Sequence, residues 1–240
     1  MKAFSITDIG EKRKINQDYV FCHEMPIGCL PNLFIVADGM GGHNAGDYAS
    51  RFSVEDFVSR VKTYEFGSPI EIFERAIQET NEALLKKAKE QIELEGMGTT
   101  FVVATCFEDT LYVANIGDSR LYIIGDEIKQ ITKDHSLVEE MVRSGKIDKS
   151  EARFHPNKNI ITRALGVKNT EEPDCFEVAI RPGDIVLMCS DGLTNMLDDS
   201  EILNIISSSK DDIEFTAKQL VKEANRHGGK DNIGVVLIKL

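Results

Sequence analysis

Ten runs of β-branched, aromatic and other apolar residues punctuate this chain of 240 residues, and most follow one another through short polar turns. They are Ala3–Asp8, Tyr19–Glu24, Leu33–Ala37, Thr99–Phe107, Leu111–Ile116, Arg120–Ile124, Ile128–Thr132, Cys175–Ile180, Ile185–Cys189 and Ile233–Lys239. Each reads as a strand. Turns such as Glu108-Asp109, Gly125-Asp126 and Pro182-Gly183 favour antiparallel pairing over a βαβ array.

Two helices stand out beside the strands. Ser68-Pro-Ile-Glu71 offers a capping Ser, Pro at the first helical position and a Glu that completes a capping box. Ile70, Phe73, Ile77, Leu84 and Ala88 then mark one apolar face, which predicts burial against a sheet. Asp211 and Glu214 open a second helix, with apolar positions Phe215, Leu220 and Ala224 and a stop at Gly228-Gly229. The stretch from Ser136 to Pro156 reads as short helical pieces with few apolar residues, a mobile flap. Many strands in hairpin order plus long amphipathic helices predict an α+β fold, a central antiparallel β-sandwich flanked by helices. With no linker or repeat, one domain over 1–240 is expected, its flap at about 136–165.

The chemistry concentrates at strand exits. Phe34-Ile-Val-Ala-Asp38-Gly39 and Val186-Leu-Met-Cys-Ser-Asp191-Gly192 share one design, an apolar strand that delivers an aspartate to its end where glycine turns the chain. Asp-Gly ordinarily marks a hairpin, but neither GMGGHNAGDYAS nor LTNMLDDSEIL continues as an alternating strand. Leu111–Ile116 ends in Gly117-Asp118, and Asp231 stands just before the last strand. Four carboxylates at strand ends can meet at one mouth of a sheet and offer the oxygen ligands that Mg²⁺ and Mn²⁺ take. Taken singly, each also suits a turn or helix cap, and Asp198 and Asp199 are read that way.

The loop Gly39-Met-Gly-Gly-His43 matches neither the nucleotide P-loop nor GxGxxG, and its glycines suit close backbone approach to an ion or phosphate. His43 stands out among the histidines by its place on a loop after a candidate ligand strand, where a helix N-terminal histidine without chemistry would equally sit. His135, in Lys-Asp-His-Ser at the entrance to the flap, is a weaker candidate, and His23, His155 and His227 lack any motif. No DxDxDG calcium loop occurs.

Charge and cysteine usage narrow the function classes. The formal net charge of −12 repels nucleic acid and anionic membranes and attracts divalent cations. No apolar leader opens the chain and no stretch approaches a membrane span, which predicts a cytoplasmic protein. Five dispersed cysteines without zinc spacing read as reduced thiols, with Cys106 and Cys189 buried in apolar runs.

Taken in order, the motifs resemble those of the metal-dependent protein phosphatase family, type 2C, in its compact bacterial form. They begin with Thr7-Asp-Ile-Gly-Glu-Lys-Arg13-Lys-Ile-Asn16-Gln17-Asp18, and continue through Asp38-Gly-Met-Gly-Gly-His43, Gly98-Thr-Thr100 and Ala114-Asn-Ile-Gly-Asp118-Ser-Arg120. Thr162-Arg-Ala-Leu-Gly166, Ser190-Asp-Gly192 and Gly229-Lys-Asp231-Asn232 complete the series.

This resemblance implies hydrolysis of phosphoserine and phosphothreonine in proteins by water activated at a binuclear Mg²⁺ or Mn²⁺ centre. Asp38 would bridge the ions, the Gly39 carbonyl would bind one, and Asp191 and Asp231 the other. Asp18 would act through a metal-bound water, and Asp118 with Asp191 would hold a third, weaker ion. Arg13 would grip the substrate phosphate and His43 would serve as general acid. Asn232 and Gly98-Thr-Thr100 would shape the site. Gln17 departs from the glutamate of many members and removes one negative charge near the ions. Implied partners are phosphorylated proteins and a cognate serine/threonine kinase, with no nucleic acid and no membrane, and the expected state is a monomer. Two other readings stay open at this point, a two-metal phosphodiesterase and a catalytically inactive binding module of the same fold.

Overall fold

The computed structural model describes residues 1–41, 45–168, 172–209 and 211–240. Its eleven strands are β1 (Lys2–Asp8), β2 (Asp18–His23), β3 (Leu33–Met40), β4 (Gly98–Thr99), β5 (Phe101–Phe107), β6 (Thr110–Ile116), β7 (Arg120–Ile124), β8 (Ile128–Gln130), β9 (Asp174–Ala179), β10 (Ile185–Cys189) and β11 (Ile233–Lys239). All ten predicted runs are strands, and the pairing is antiparallel throughout. One sheet has the order β1-β11-β10-β7-β8 and the other β2-β3-β5-β6-β9, with β4 attached to β3. Glu108-Asp109 and Gly125-Asp126 close hairpins as expected. Pro182-Gly183 does not: β9 pairs with β6 and β10 with β7 and β11, so this turn carries the chain from one sheet to the other.

Strand alternation builds the layers, because successive side chains point to opposite faces. In β3, Phe34 and Val36 join Val102, Ala104, Val186, Met188, Val236 and Ile238 in a core between the sheets. Leu33, Ile35 and Ala37 face the other way, onto α1 (Ala45–Val61) and α2 (Pro69–Glu90). On the far sheet, Leu187, Cys189, Val235 and Leu237 pack under α5 (Asp191–Thr194), α6 (Asp199–Ser209) and α7 (Ile213–Arg226). The result is the helix-sheet-sheet-helix sandwich that the patterning predicts. Fully burying one such aliphatic side chain stabilises by about 1.5–3 kcal/mol, so these three layers dominate the stability of the fold.

Helix α2 begins as predicted: Ser68 accepts from the Glu71 N–H and Glu71 reaches back to the Ser68 N–H. Helix α7 differs in detail. Asp212, rather than Asp211, caps it by accepting from the Phe215 N–H, and Phe215 points to solvent while Ile213, Ala217, Leu220, Val221 and Ala224 are buried. Helix α1, unmarked in the sequence, buries Ala45, Gly46, Ala49, Ser50 and Ser53 before its larger Val54, Phe57, Val58 and Val61. Cys106 and Cys189 are buried free thiols. The flap region holds α3 (Leu137–Arg143) and α4 (Lys149–Ala152), and its ends meet where Ser136 pairs with Ile161.

Candidate metal centre

Register alone brings the acidic strand ends together. Asp18 opens β2 directly opposite Asp38 on β3. Asp191 follows β10 and Asp231 precedes β11, and the antiparallel pairing of those strands puts both at one end. Asp118 lies in the three-residue step from β6 to β7, which joins the two sheets at that same end. Gly39, next to Asp38, completes the predicted set.

Bonds to ordinary polar residues hold Asp18 and Asp191 by their carboxylates and Asp38 by its backbone. Ser190 Oγ donates to Asp18 Oδ2 at 2.6 Å and accepts from the Gly234 N–H at 2.8 Å, so it links β2 of one sheet to β11 of the other. The Asp38 backbone is held on both sides: its N–H donates to Thr100 Oγ1, and its carbonyl accepts from the Thr100 N–H and Thr99 Oγ1, each at 2.9 Å. Thr100 Oγ1 also shares a hydrogen bond of 2.7 Å with Ser119 Oγ beside Asp118. Asn195 Nδ2 donates to Asp191 Oδ2 at 2.8 Å, and Lys158 of the flap donates to Asn195. Ser190 and Thr100 stand inside quoted motifs, yet nothing in a lone Ser or Thr signals a carboxylate partner 172 positions away.

Arg13 Nη2 lies 2.7 Å from Asp231 Oδ2, with the side chain about half exposed. Asn232 holds the loop that carries it: its amide donates to the Ile9 and Ile15 carbonyls, and its Oδ1 accepts from the Gln17 N–H. Two glycines at the site have a packing role of their own. A Cβ on Gly39 would sit 1.9 Å from the Gly46 carbonyl oxygen, and one on Gly192 would sit 1.8 Å from that of Asn232. Both are close approaches of the chain to itself that seat α1 and the Asp231 loop. His43 lies outside the described residues.

The electrostatics are those of a cation site. Directly opposed residues on antiparallel strands are about 5 Å apart, where two like charges repel by about 3 kcal/mol at an effective dielectric of 20. Burial first, then the fields of Asp191 and Asp231, push the Asp18 carboxyl up to about 7 despite the Ser190 bond. Burial and Asp231 bring Asp191 to about 6, with Arg120, Asn195 and Lys158 opposing. Burial and then Asp18, Asp191, Asp118 and Asp231 hold Asp38 well above the carboxylate range, and burial, Asp191 and Asp134 do so for Asp118. Asp18 is 5% exposed, and among the described residues no N–H or backbone donor reaches its Oδ1.

A hard divalent cation fits this donor set, because it relieves the repulsion and supplies what the orphaned oxygen lacks. No three His, Cys, Asp or Glu side chains among the described residues already form a closed cage. The fit is therefore to an ion that keeps several waters and takes one or two carboxylates directly, as Mg²⁺ does. Asp118 and Asp191 also border a cavity of about 590 Å³ that reaches under the flap to Val138, Glu139 and Arg153.

Known proteins share this sequence and fold over nearly the whole chain. The protein phosphatase 2C family matches residues 29–233. The serine/threonine phosphatase stp of Listeria monocytogenes serovar 1/2a is 42% identical over 244 residues, covering 100% of this chain and 96% of its own. Protein phosphatase PhpP of Streptococcus pneumoniae R6 is 40% identical over 246 residues, covering 100% and 98%. Among solved structures, serine/threonine phosphatase Stp1 of Staphylococcus aureus superposes with a TM-score of 0.93 at 35% identity, covering 100% and 94%. The catalytic domain of the phosphatase PstP, solved with two manganese ions, gives 0.84 at 33%, covering 98% and 96%.

Proposed function

The chain belongs to the protein phosphatase 2C family and is a metal-dependent serine/threonine protein phosphatase, and from that premise we propose which of its residues do the work. The reading rests above all on the buried pair Asp18 and Asp38, set opposite one another by strand register, both of whose carboxyls are raised by burial and by the acidic residues around them. Asp38, the Gly39 carbonyl, Asp191 and Asp231 hold the two Mn²⁺ or Mg²⁺ ions, Asp18 orients water beside them, and Asp118 with Asp191 takes a third, weaker ion. When bound, the ions supply an activated water and offset charge on the phosphoryl oxygens during in-line displacement.

The remaining roles fall to cations and to a histidine. Arg13 swings from Asp231 to the incoming phosphate, for which its planar fork is the matching partner. A chain of net charge −12 needs that attraction to admit a dianion. His43 protonates the departing seryl or threonyl oxygen. We further propose a single catalytic domain with a flap at 136–165, acting as a cytoplasmic monomer that opposes a serine/threonine kinase. The acidic charge and free cysteines support the compartment, and no helix among the described residues is long and apolar enough to cross a membrane.

Turnover of p-nitrophenyl phosphate with Mn²⁺, with and without chelator, tests the reading. Activity with Mn²⁺ and its loss on chelation are expected. Inactivity of clean, metal-loaded protein would favour a binding module, and phosphate release from a diester would favour a phosphodiesterase.

A further inference from the structure

A single residue, His135, satisfies both backbone polar groups of Gly117, the residue before Asp118. The Gly117 N–H donates to His135 Nδ1 at 3.0 Å, and the His135 N–H donates to the Gly117 carbonyl at 2.9 Å. The ring is 7% exposed, so this bonding is shielded from water. Gly117 is in the left-handed region at φ +108°, and a Cβ there would lie 2.6 Å from Thr100 Cβ. The turn is thus clamped between Thr100, which binds Ser119 on one side, and His135 on the other.

The same residue ties in both ends of the flap. It immediately precedes Ser136, where the flap leaves the body, and its carbonyl accepts from the Thr162 N–H at 2.8 Å, where the flap returns. Its Nε2 lies 2.8 Å from Arg163 Nη1 and 3.3 Å from Asp174 Oδ2, and Arg163 donates to Asp174 Oδ1 at 2.7 Å. We propose that His135 is a positioning residue that fixes the Gly117-Asp118 turn against the base of the flap, so that the direction of the Asp118 carboxylate depends on the flap being seated. The consequence for metal rests on the reading of Asp118 as ligand of the third ion. The clamp itself rests on the Gly117 bonds alone.

Three variants test it. Asn at 135 places a carbonyl oxygen where Nδ1 lies, Gln places its polar end near Nε2, and Ala places neither. The readouts are hydrogen exchange of the Gly117 amide by NMR, Mn²⁺ affinity at each site by calorimetry, and thermal unfolding. His135→Ala and His135→Gln should speed Gly117 exchange about tenfold and weaken the loosest Mn²⁺ site by a similar factor, with the tighter ions unchanged. His135→Asn should keep both close to the parent, although it too loses the Nε2 contacts. Equal behaviour of Asn and Gln overturns the proposal, as does unchanged Gly117 exchange or an equal loss at every ion site. If His135→Ala does not fold, the Asn and Gln pair decides. Asp118→Asn separates the two layers: an unchanged Mn²⁺ isotherm there removes Asp118 from the ligands, while Gly117 exchange still decides the clamp.

Discussion

Arg13 and Asp231, separated by 218 positions, meet as an ion pair at 2.7 Å at the rim of the carboxylate cluster. Arg13 thereby neutralises a proposed metal ligand, and a substrate phosphate has to compete with Asp231 for its guanidinium. Both partners are partly solvated, so the pair itself contributes little to stability. Arg13→Ala should therefore leave unfolding almost unchanged and leave Mn²⁺ affinity equal or higher, because a competing cation is gone. Its cost should fall on phosphopeptide kcat/KM, by about 10- to 100-fold, the range of a charge-assisted bond to phosphate. Steady-state kinetics with calorimetric Mn²⁺ titration check this, and a loss of metal affinity with normal kcat/KM at saturating Mn²⁺ would give Arg13 a different role.

Ser190 is fully buried and is the donor to Asp18 Oδ2. Ser190→Ala leaves that oxygen and the Gly234 N–H without this partner, which should destabilise the chain by about 1–3 kcal/mol in urea unfolding. Ser190 also opposes the upward push on the Asp18 carboxyl, so its loss should raise that pKa further. Mn²⁺ binding at pH 7 should weaken in the variant more than at pH 8.5, and equal weakening would separate Ser190 from Asp18 ionisation.

The raised carboxyls set a pH dependence with a definite sign. Asp18 at about 7 and Asp191 at about 6 stand above their unfolded value of 3.8, so the folded chain binds more protons than the unfolded one between about pH 4 and 7. Their favourable contribution is fully present below pH 3.8 and is lost as pH rises through 6 and 7. Divalent cations must displace those protons. Mn²⁺ should consequently bind more weakly at pH 6 than at pH 8 and release protons on binding. Calorimetry in buffers of different ionisation enthalpy measures that release directly. Binding without it near pH 6.5 would mean that Asp18 and Asp191 are already ionised.

Much of this was readable from residue order, in proportion to how local its causes are. The Ser68 capping box and the alternating strands depend on near neighbours, and they are where the sequence puts them. Helix α1 escaped because its buried face begins with Ala45, Gly46, Ala49, Ser50 and Ser53, which carry no large apolar stripe. Pro182-Gly183 looks like any hairpin turn, and only the partners of β9 and β10 show that it changes sheets. For the site, the delivery of Asp38 and Asp191 to strand exits is a local signal. Their convergence is a matter of register, and the Ser190 and Thr100 bonds that aim the cluster are long-range contacts of common residues.

The assignment of His43 as general acid makes a prediction that distinguishes leaving groups. A seryl or threonyl alkoxide needs a proton as it departs, whereas p-nitrophenolate leaves readily without one. His43→Ala should therefore slow phosphopeptide hydrolysis by about 100-fold or more, the usual worth of a positioned acid, while p-nitrophenyl phosphate turnover falls only a few-fold at equal Mn²⁺ occupancy. The acidic limb of the phosphopeptide pH profile should persist in the variant, because it belongs to the proton competition at Asp18 and Asp191. The basic limb should vanish with the imidazole. If both substrates lose the same factor and the basic limb survives, His43 positions groups in the site and another acid protonates the leaving oxygen.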